Sequence, residues 1–486
     1  MTTILFFDDW PLCSSSNVTR KKGEPKWIAE ATLEDADTEG AWNFPCVWYD
    51  RQAKLWKALY GAAVRFKPSG AYWEKAQALS YAQSPDGIHW IRPDLKRQTP
   101  HLEVRHKPNQ VFGLKSHVDG GPVFFDQREP NPNRRLKYFY TASEKLVTAK
   151  QGEAIDDWIQ WLANSGDGIH WSIDKQPWGT TKFDSPVACF YNDFEKCYCI
   201  IARRHCGDRR ISIRKTTDFR NVSPPRLIMH PDPEDPPIVQ FYGMPVYKYE
   251  YVYIGLLWRL HCDPGEISYH KCFGPMDCVL AYSFDGDHFF RATHKPFISR
   301  NEPGEHGGGC VYVSTMLVDD DNTIRFYSGG SKAEHFQDQS LTDAALMLHT
   351  LRLDGFFYLE SNSMIGKIIT RCVDFNGPNL KLNAQCPHGC IRVQISAPDG
   401  KALPGYTFDD CIPFTGDDLF HSVKWKNGKD VGDVSNIVKQ QSEHAEFPYA
   451  HIEVELTSGR LYAIRGDFEL KVGSGSKEAG LTQPWA

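Results

Sequence analysis

The sequence lacks the features that would place it in a membrane or on a nucleic acid. It has no stretch of about 18 consecutive apolar residues, so we expect no transmembrane helix. It has no long basic run, and its formal net charge is −6, so we expect neither a nucleic-acid nor a membrane partner. The N-terminal apolar run, Ile4–Phe7, has no basic residue before it and does not resemble a signal peptide, although a cleaved precursor would look the same. We therefore predict a cytoplasmic protein whose oligomeric state the sequence leaves open.

The 14 cysteines also lack the sequence spacing that is typical of metal-binding sites. Several of them, including Cys197 and Cys199, sit inside apolar strand-like runs, which is typical of buried reduced thiols in a cytosolic protein. Cys386-Pro-His-Gly-Cys390 places two thiols and an imidazole close together, but no second ligand pair lies nearby. A turn between two strands is favoured over a zinc site, and we predict no metal and no cofactor.

Long helical periodicity is scarce, whereas short runs of Val, Ile, Tyr, Phe and Trp separated by Gly, Pro, Asp and Asn are frequent. Hydrophobic residues make up 41% of the chain and aromatic residues 13%, which is enough for a large core. The pattern predicts an all-β protein. The many rings fit a sugar-binding cleft, in which sugar faces stack on aromatic side chains, and they equally fit the core of an all-β fold.

One motif, Ser-x-Asp-Gly-x-His-[Trp/Phe], occurs three times, at residues 84–90, 165–171 and 283–289, and a degenerate copy includes Asp218. Each copy follows an apolar strand-like run, so it marks a repeated β unit. Its Ser and Asp can bond turn backbone, and its Gly permits a positive φ. We interpret the motif as a structural turn, and Asp86, Asp167 and Asp285 as non-catalytic.

The strand runs group into five similar units, which begin near Asn43, Gly121, Ser185, Val239 and Val311. Units of three or four strands, with the motif before the last strand, predict a five-bladed β-propeller over residues 1–360. The motif then disappears, and alternating strands predict a C-terminal β-sandwich over residues 361–472. Residues 473–486 begin with a Gly-Ser-rich run and are predicted to be a flexible tail or linker.

This pattern resembles the five-bladed propeller glycoside hydrolases of the invertase and inulinase type (family 32) and the arabinanase type (family 43). It is most similar to uncharacterised bacterial proteins described as family 32-like. Those proteins carry segments similar to Leu5–Trp10, Phe241–Pro245 and Tyr253–Leu256 of this chain. The resemblance implies an all-β propeller that acts on sugars. The invertase nucleophile, stabiliser and acid motifs are absent, however, so no catalytic residue is carried over from that family.

Candidate catalytic residues follow from the expected geometry of a propeller, in which the first strand of each blade begins at the central pocket. Glycoside cleavage uses two carboxyl groups, spaced about 5–5.5 Å apart for retention and about 6.5–9.5 Å for inversion. Carboxylates at these strand starts are Asp119, Asp184 and Glu305. We favour Glu305 as the acid, with Asp119 and Asp184 as nucleophile or base and stabiliser. Weaker candidates are Asp8, Asp9, Glu39 and Asp235.

Polar and aromatic residues near the same strand starts are the predicted substrate-binding groups. They are Trp42, Asn43, His117, Arg203 and His306, with Arg204, Arg259 and His261 as possible supports. Arg203 and Arg204 end one strand, so by alternation only one of them can face the pocket.

The sequence thus predicts a glycoside hydrolase that cleaves a small oligosaccharide, of a furanosidic (fructosyl or arabinosyl) type. Two alternatives remain open. One is a non-catalytic carbohydrate-binding propeller, and the other is a glycoside phosphorylase or sugar lyase on the same fold, because a fold alone does not choose the chemistry.

Overall fold

A computed structural model of the chain describes most of its 486 residues. The described residues are 1–34, 44–65, 75–102, 107–113, 118–143, 158–175, 177–178, 188–205, 209–263, 273–335, 344–441 and 448–471. The chain divides into two compact units: unit 1 comprises residues 1–24 and 351–486, and unit 2 comprises residues 25–350. Among the described residues, none of the helices has the length and apolar character needed to span a membrane.

Strands dominate both units. The strands of residues 1–143 are β1 (Thr2–Leu5), β2 (Leu12–Ser16), β3 (Thr19–Lys22), β4 (Lys26–Trp27), β5 (Leu33–Glu34), β6 (Cys46–Asp50), β7 (Leu55–Arg65), β8 (Lys75–Ser84), β9 (Gln110–Phe112), β10 (Val118–Phe125) and β11 (Leu136–Ser143). Those of residues 158–283 are β12 (Trp158–Ser165), β13 (Trp171–Ile173), β14 (Ala188–Asn192), β15 (Cys197–His205), β16 (Arg209–Thr216), β17 (Arg226–Met229), β18 (Val239–Gly243), β19 (Val246–Tyr249), β20 (Val252–His261) and β21 (Met276–Ser283). The remaining strands are β22 (Cys310–Val318), β23 (Thr323–Ser331), β24 (Ala344–Arg352), β25 (Phe357–Ser361), β26 (Gly366–Thr370), β27 (Val373–Ser396), β28 (Phe414–Ser422), β29 (His451–Thr457) and β30 (Gly459–Leu470).

Helices are few and short in the described part of the chain. They are three 3₁₀ turns (Ala29–Ala31, Pro132–Arg134 and Val431–Asp433) and one α-helix, α1 (Val434–Gln441).

Unit 2 consists of antiparallel sheets that follow one another along the chain. Sheet I is β6-β7-β8-β9, sheet II is β10-β11-β12-β13 and sheet III is β14-β15-β16-β17. Sheet IV contains β18, β19, β20 and β21, and sheet V contains β22, β23 and β24 with β4 and β5 against β24. Sheets IV and V are joined by a single parallel pair, Met276 with Cys310.

Side chains of the first strands connect each sheet to the next. Trp48 of sheet I stacks on Phe125 of sheet II, and Phe124 meets Tyr198 of sheet III edge-on. Phe190 of sheet III packs on Tyr253 of sheet IV, and Trp258 of sheet IV packs on Tyr312 of sheet V. The Thr315 hydroxyl of sheet V donates to the Pro45 carbonyl, 2.6 Å away, at the start of sheet I. The fifth sheet therefore contacts the first, and the five sheets form a closed ring.

The repeated motif forms the turn that follows the third strand of sheets I, II and IV. In its first copy, Ser84 Oγ accepts a hydrogen bond from the Gly87 N–H at 2.9 Å. Asp86 Oδ1 accepts from the backbone N–H groups of Ile88 and His89 at 2.8 Å. Gly87 has a φ of 75°, which glycine adopts without strain. The other two copies repeat these bonds, so the structural interpretation of the motif is confirmed.

The motif aspartates are permanent hydrogen-bond acceptors. In the degenerate copy, backbone N–H groups of Asn221 and Arg220 lower the pKa of Asp218 to about 2. Two of the turns are also hydrogen-bonded to a neighbouring sheet: the Tyr327 hydroxyl of sheet V donates to the Gly87 carbonyl at 3.0 Å, and the Asn192 amide of sheet III donates to the Asp285 carbonyl at 2.8 Å. A carboxyl group that stays ionised in this way cannot serve as a proton donor near neutral pH.

Unit 1 is built on a nine-stranded sheet with the order β2-β26-β29-β27-β30-β25-β3, to which β1 adds beside β30 and β28 beside β27. The long strand β27 pairs with β30 through its first part and with β29 through its last. Cys386 and Cys390 fall at a bulge within β27, so they do not form the predicted turn between two strands. All of the cysteines that the structure describes are free thiols, as expected.

The first 24 residues belong to unit 1, whereas the sequence had placed them with the propeller. Residues Thr2–Leu5 pair with Ala463–Gly466 of β30, and β3 pairs with β25. Ile4 and Phe6 are fully buried in the core of this unit. The observed boundaries at residues 24 and 350 therefore differ from the predicted boundary at 360, because the N-terminal strands complete the C-terminal sheet.

Candidate functional site

One edge of the ring gathers the starts of the first strands. Because neighbouring strands are antiparallel, the second strands of each sheet (β7, β11, β15, β20 and β23) end at this same edge. We call it the strand-start edge. It is the edge at which the sequence predicted catalytic groups, and residues that follow a second strand reach it as readily as residues that precede a first strand.

Tyr242 lies where sheets III, IV and V meet at the strand-start edge. The Arg203 guanidinium stacks over its ring, 4.2 Å from the centroid, and the His335 ring meets it edge-on with centroids 4.8 Å apart. Arg209 lies 5.4 Å from the same ring and donates to Gln240 Oε1 at 3.0 Å. All of these side chains except Arg209 are buried. Cationic groups are thus held against an aromatic ring in a partly dry environment.

Glu334 is the carboxyl group at this edge whose properties suit proton transfer. It follows β23 and is half-buried. Burial is the main cause that raises the pKa of Glu334, and the negative charge of Asp263 raises it further, while Arg300 acts in the opposite direction. A raised pKa keeps a carboxyl group protonated closer to neutral pH, which a general acid requires.

Backbone hydrogen bonds place Asp263 and Glu334 on either side of one segment. The Asp263 N–H donates to the Phe273 carbonyl at 3.0 Å, and the His335 N–H donates to the Gly274 carbonyl at 3.0 Å. The ends of β20 and β23 are therefore tied together through residues 273–274. This arrangement explains why two carboxyl groups about 70 residues apart influence each other.

The glycine-rich loop Gly304–Gly309 supports Glu334. A Cβ on Gly309 would lie 2.1 Å from the Ala333 carbonyl oxygen and 2.7 Å from the Glu334 nitrogen, so only glycine fits here. The Gly309 N–H also donates to the Ser331 carbonyl at 2.9 Å. The loop therefore lets the backbone before Glu334 approach it closely.

Glu305 and His306 belong to this loop and differ in exposure. Glu305 is exposed to solvent, so no protein groups enclose its carboxyl group. His306 is 9% exposed, and its Nδ1 lies 3.5 Å from Glu34 Oε1. The burial of His306 is compatible with its predicted substrate-binding role. The exposure of Glu305 does not favour it as the acid.

A second charged cluster lies at sheet IV, and its acidic and basic side chains form ion pairs with one another. Arg259 donates to both oxygens of Asp277 at 3.1 and 3.0 Å, and His261 lies 2.9 Å from Asp277. Burial acts to raise the pKa of Asp277, but the hydrogen bonds from His261 and Arg259 outweigh it and the pKa is lowered. Asp235 is bound by Arg291 at 2.7 Å. These groups hold the sheet together, and none of the carboxylates is poised as an acid.

The other predicted residues fall in three places. Arg203 and the start of β10, which contains Asp119, are at the strand-start edge, and Asp119 pairs in register with Thr141. Asp8 and Asp9 lie in unit 1. Predicted residues that lie outside the described residues are Glu39, Trp42, Asn43, His117 and Asp184.

Comparison with known proteins gives structural likeness only. No family model matches the chain, and no curated protein matches it. A β-1,2-mannobiose phosphorylase from Listeria innocua is 12% identical, with 70% of this chain and 98% of that chain covered and a TM-score of 0.46. A glycosyl hydrolase from Bacteroides ovatus is 12% identical, with 68% and 94% covered and a TM-score of 0.45. A family 117 glycoside hydrolase from Zobellia galactanivorans is 10% identical, with 68% and 91% covered and a TM-score of 0.41. Identities of this size transfer no activity to this chain.

Proposed function

We propose that this chain is a carbohydrate-active enzyme that cleaves a glycosidic bond, and that Glu334 protonates the leaving oxygen. The observation that carries the proposal is a half-buried carboxyl group with a raised pKa, beside a second carboxyl group, at the edge where Arg203, Tyr242 and His335 meet. The five sheets are proposed to be the blades of a five-bladed β-propeller, and the sheet of unit 1 to fold over as a β-sandwich.

The proposed reaction divides the roles among groups at the strand-start edge. Glu334 donates its proton to the glycosidic oxygen as the bond to the anomeric carbon breaks. Asp119 and Asp184 remain the proposed nucleophile or base and stabiliser. Asp263 keeps the Glu334 pKa high, and Tyr242 with Arg203 and His335 forms the wall against which a sugar ring and its hydroxyl groups bind.

A phosphorylase is the second candidate, and the cations favour it. Arg203 and Arg209 lie 4.2 and 5.4 Å from the centroid of the Tyr242 ring, and Arg300 is close enough to Glu334 to influence its pKa. Arginine binds phosphate well because its planar donors match phosphate oxygens. In a phosphorylase, phosphate would replace water as the group that attacks the anomeric carbon.

A product screen tests the proposal and separates its two forms. The purified chain is incubated with furanosidic (fructosyl and arabinosyl) and pyranosidic oligosaccharides, with and without inorganic phosphate, and the release of reducing ends and sugar phosphates is measured. Reducing ends without phosphate support a hydrolase, and sugar phosphates formed only with phosphate support a phosphorylase. Binding of a sugar with no bond cleavage under either condition would show that the chain is a carbohydrate-binding module.

Substituting Asp263 should shift the pH profile in a known direction. The general acid works while protonated, so activity is present below the pKa of Glu334 and is lost as pH rises through it. Asp263→Asn removes a negative charge that raises this pKa, so the alkaline limb of kcat/KM is expected to move to lower pH. The measurement is the pH dependence of cleavage of the best substrate from the screen.

Arg300→Gln is the matched control for that profile. Arg300 lowers the pKa of Glu334, so its removal should move the alkaline limb to higher pH, opposite to the Asp263 variant. Shifts of the same sign in both variants would show that the limb reports another group.

A further inference from the structure

A cavity of about 750 Å³ extends to the edge of the ring opposite the strand-start edge. Its wall is formed by the later parts of the first strands, for example residues 122–125 of β10 and 314–318 of β22, and by the hairpins that follow them. Residues 44–47, at the start of β6, and residues 188–190, at the start of β14, also line it. Its size is within the range of about 300–1,000 Å³ typical of sites for small molecules. Glu334, Asp263, Arg203, Tyr242 and His335, the described residues assigned above to the reaction, are not among those that line it.

Aromatic rings separate this cavity from the strand-start edge. Phe44 lines the cavity and contacts Trp258, with ring centroids 5.4 Å apart. Trp258 is fully buried and contacts Tyr312 at 5.4 Å and Tyr242 at 6.5 Å. The Trp258 indole N–H also donates to the Val313 carbonyl at 2.9 Å, which fixes the ring in place. A ligand in the cavity would therefore be distinct from a substrate beside Tyr242.

The wall of the cavity carries partly exposed rings from four of the five sheets. They are Tyr49, Phe124, Phe125, Tyr191 and Tyr247. Burying the exposed faces of these rings against the apolar face of a ligand would be favourable. The cavity therefore exposes aromatic rings on which the apolar face of a ring-shaped ligand can stack.

Charged side chains of the cavity form ion pairs with one another. Asp193 binds Arg128 and also Lys248, whose Nζ lies 2.7 Å away. Arg51 pairs with Asp320 at 3.0 Å. These pairs place hydrogen-bond donors and acceptors side by side. Such pairs suit neutral hydroxyl groups, which both donate and accept hydrogen bonds.

We propose that this cavity is a second, non-catalytic binding site for a neutral sugar. A sugar residue has an apolar face for the rings and a rim of hydroxyl groups for the Asp193, Arg128 and Lys248 side chains. The proposal stands independently of whether the strand-start edge cleaves a glycosidic bond.

The test uses saturation-transfer NMR with sucrose, cellobiose and α-1,5-arabinobiose as probes. The full chain carrying Glu334→Gln serves as the background, so that no probe is consumed. At least one probe is expected to bind, and Tyr191→Ala is expected to weaken its binding by about tenfold, because the cavity loses the ring on which the Arg128 guanidinium stacks, 4.3 Å from the ring centroid. Arg128→Ala, at an exposed position on the rim, should also weaken it. Phe194→Ala is the matched control: Phe194 is an exposed ring of the same hairpin and does not line the cavity, so binding should be unchanged.

Two results would overturn the second site. One is that no probe binds the Glu334→Gln chain. The other is binding that survives Tyr191→Ala and Arg128→Ala but is lost on Arg203→Ala, which would locate the sugar at the strand-start edge. Cleavage by the wild-type chain in the product screen, together with either result, would refute the second site and leave the proposed function intact.

Discussion

Glu334→Gln is expected to reduce the kcat for oligosaccharide cleavage by about 10³-fold, within the range of 10²–10⁴ that a positioned proton donor contributes. Glutamine keeps the size and polarity of the side chain but has no proton to give. KM should change little, because the bound sugar loses no contact in the ground state. Steady-state kinetics on the best substrate from the screen measure both quantities.

Glu305→Gln is the matched control, because it makes the same chemical change 29 positions away in a side chain that is exposed. Its kcat should stay within a few-fold of the wild-type value. A large loss in Glu305→Gln with little effect of Glu334→Gln would reverse the assignment and return the acid role to the residue favoured from sequence.

Asp354→Ala is expected to destabilise unit 1 by about 3–5 kcal/mol, which is the usual cost of leaving a buried charge without its partner. The Asp354 carboxylate is fully buried and pairs with the guanidinium of Arg465 in β30, which is itself buried. It also accepts a hydrogen bond from the Asn383 amide at 2.8 Å. Hydrogen–deuterium exchange of β30 peptides across a urea gradient measures the unfolding of this unit.

Two further variants distinguish the cost of an unpaired buried charge from a nonspecific loss of stability. Asp409→Ala breaks a pair with Arg392 in which the Asp409 side chain is 98% exposed, and the urea midpoint should not change measurably. The double variant Asp354→Leu with Arg465→Met should be more stable than Asp354→Ala, because no charge is left buried. A double variant less stable than the single one would contradict the role given to the pair.

The repeat of strands and turns could be predicted from sequence because it depends on local chemistry. Ser84, Asp86 and Gly87 specify the same turn wherever they recur, and the strand groups near Gly121 and Val239 each end with a copy of this turn. The grouping of strands therefore followed from the motif. Strand ends were less predictable: within the unit that begins near Val239, Pro245 cannot donate to the ladder and separates β18 from β19.

The pairing of strands that are distant in sequence could not be predicted. The apolar run Ile4–Phe7 shows that a strand begins the chain, but alternation does not name the strand beside it. In the structure that strand is β30, more than 450 positions away. Helix α1 was also missed, because its eight residues are too short to show a clear helical period.

Glu334, the proposed acid, lies at a position that the sequence search did not cover. The sequence was searched for acids before first strands, which favoured Asp119, Asp184 and Glu305. Glu334 instead follows a second strand, β23. The hairpin from β22 to β23 was visible in the sequence, and antiparallel pairing returns the end of the second strand to the start of the first. Searching both places would have found it. Its raised pKa depends on Asp263 and on burial, which only the folded chain reveals.

The most direct test of the central claim compares two leaving groups in the wild-type chain and in Glu334→Gln. The substrates are the oligosaccharide identified by the screen and the dinitrophenyl glycoside of the same sugar, whose leaving group departs without protonation. If Glu334 is the general acid, the variant should lose about 10³-fold on the oligosaccharide and less than about tenfold on the dinitrophenyl glycoside. Equal losses on both substrates, or no loss on either, would contradict the account.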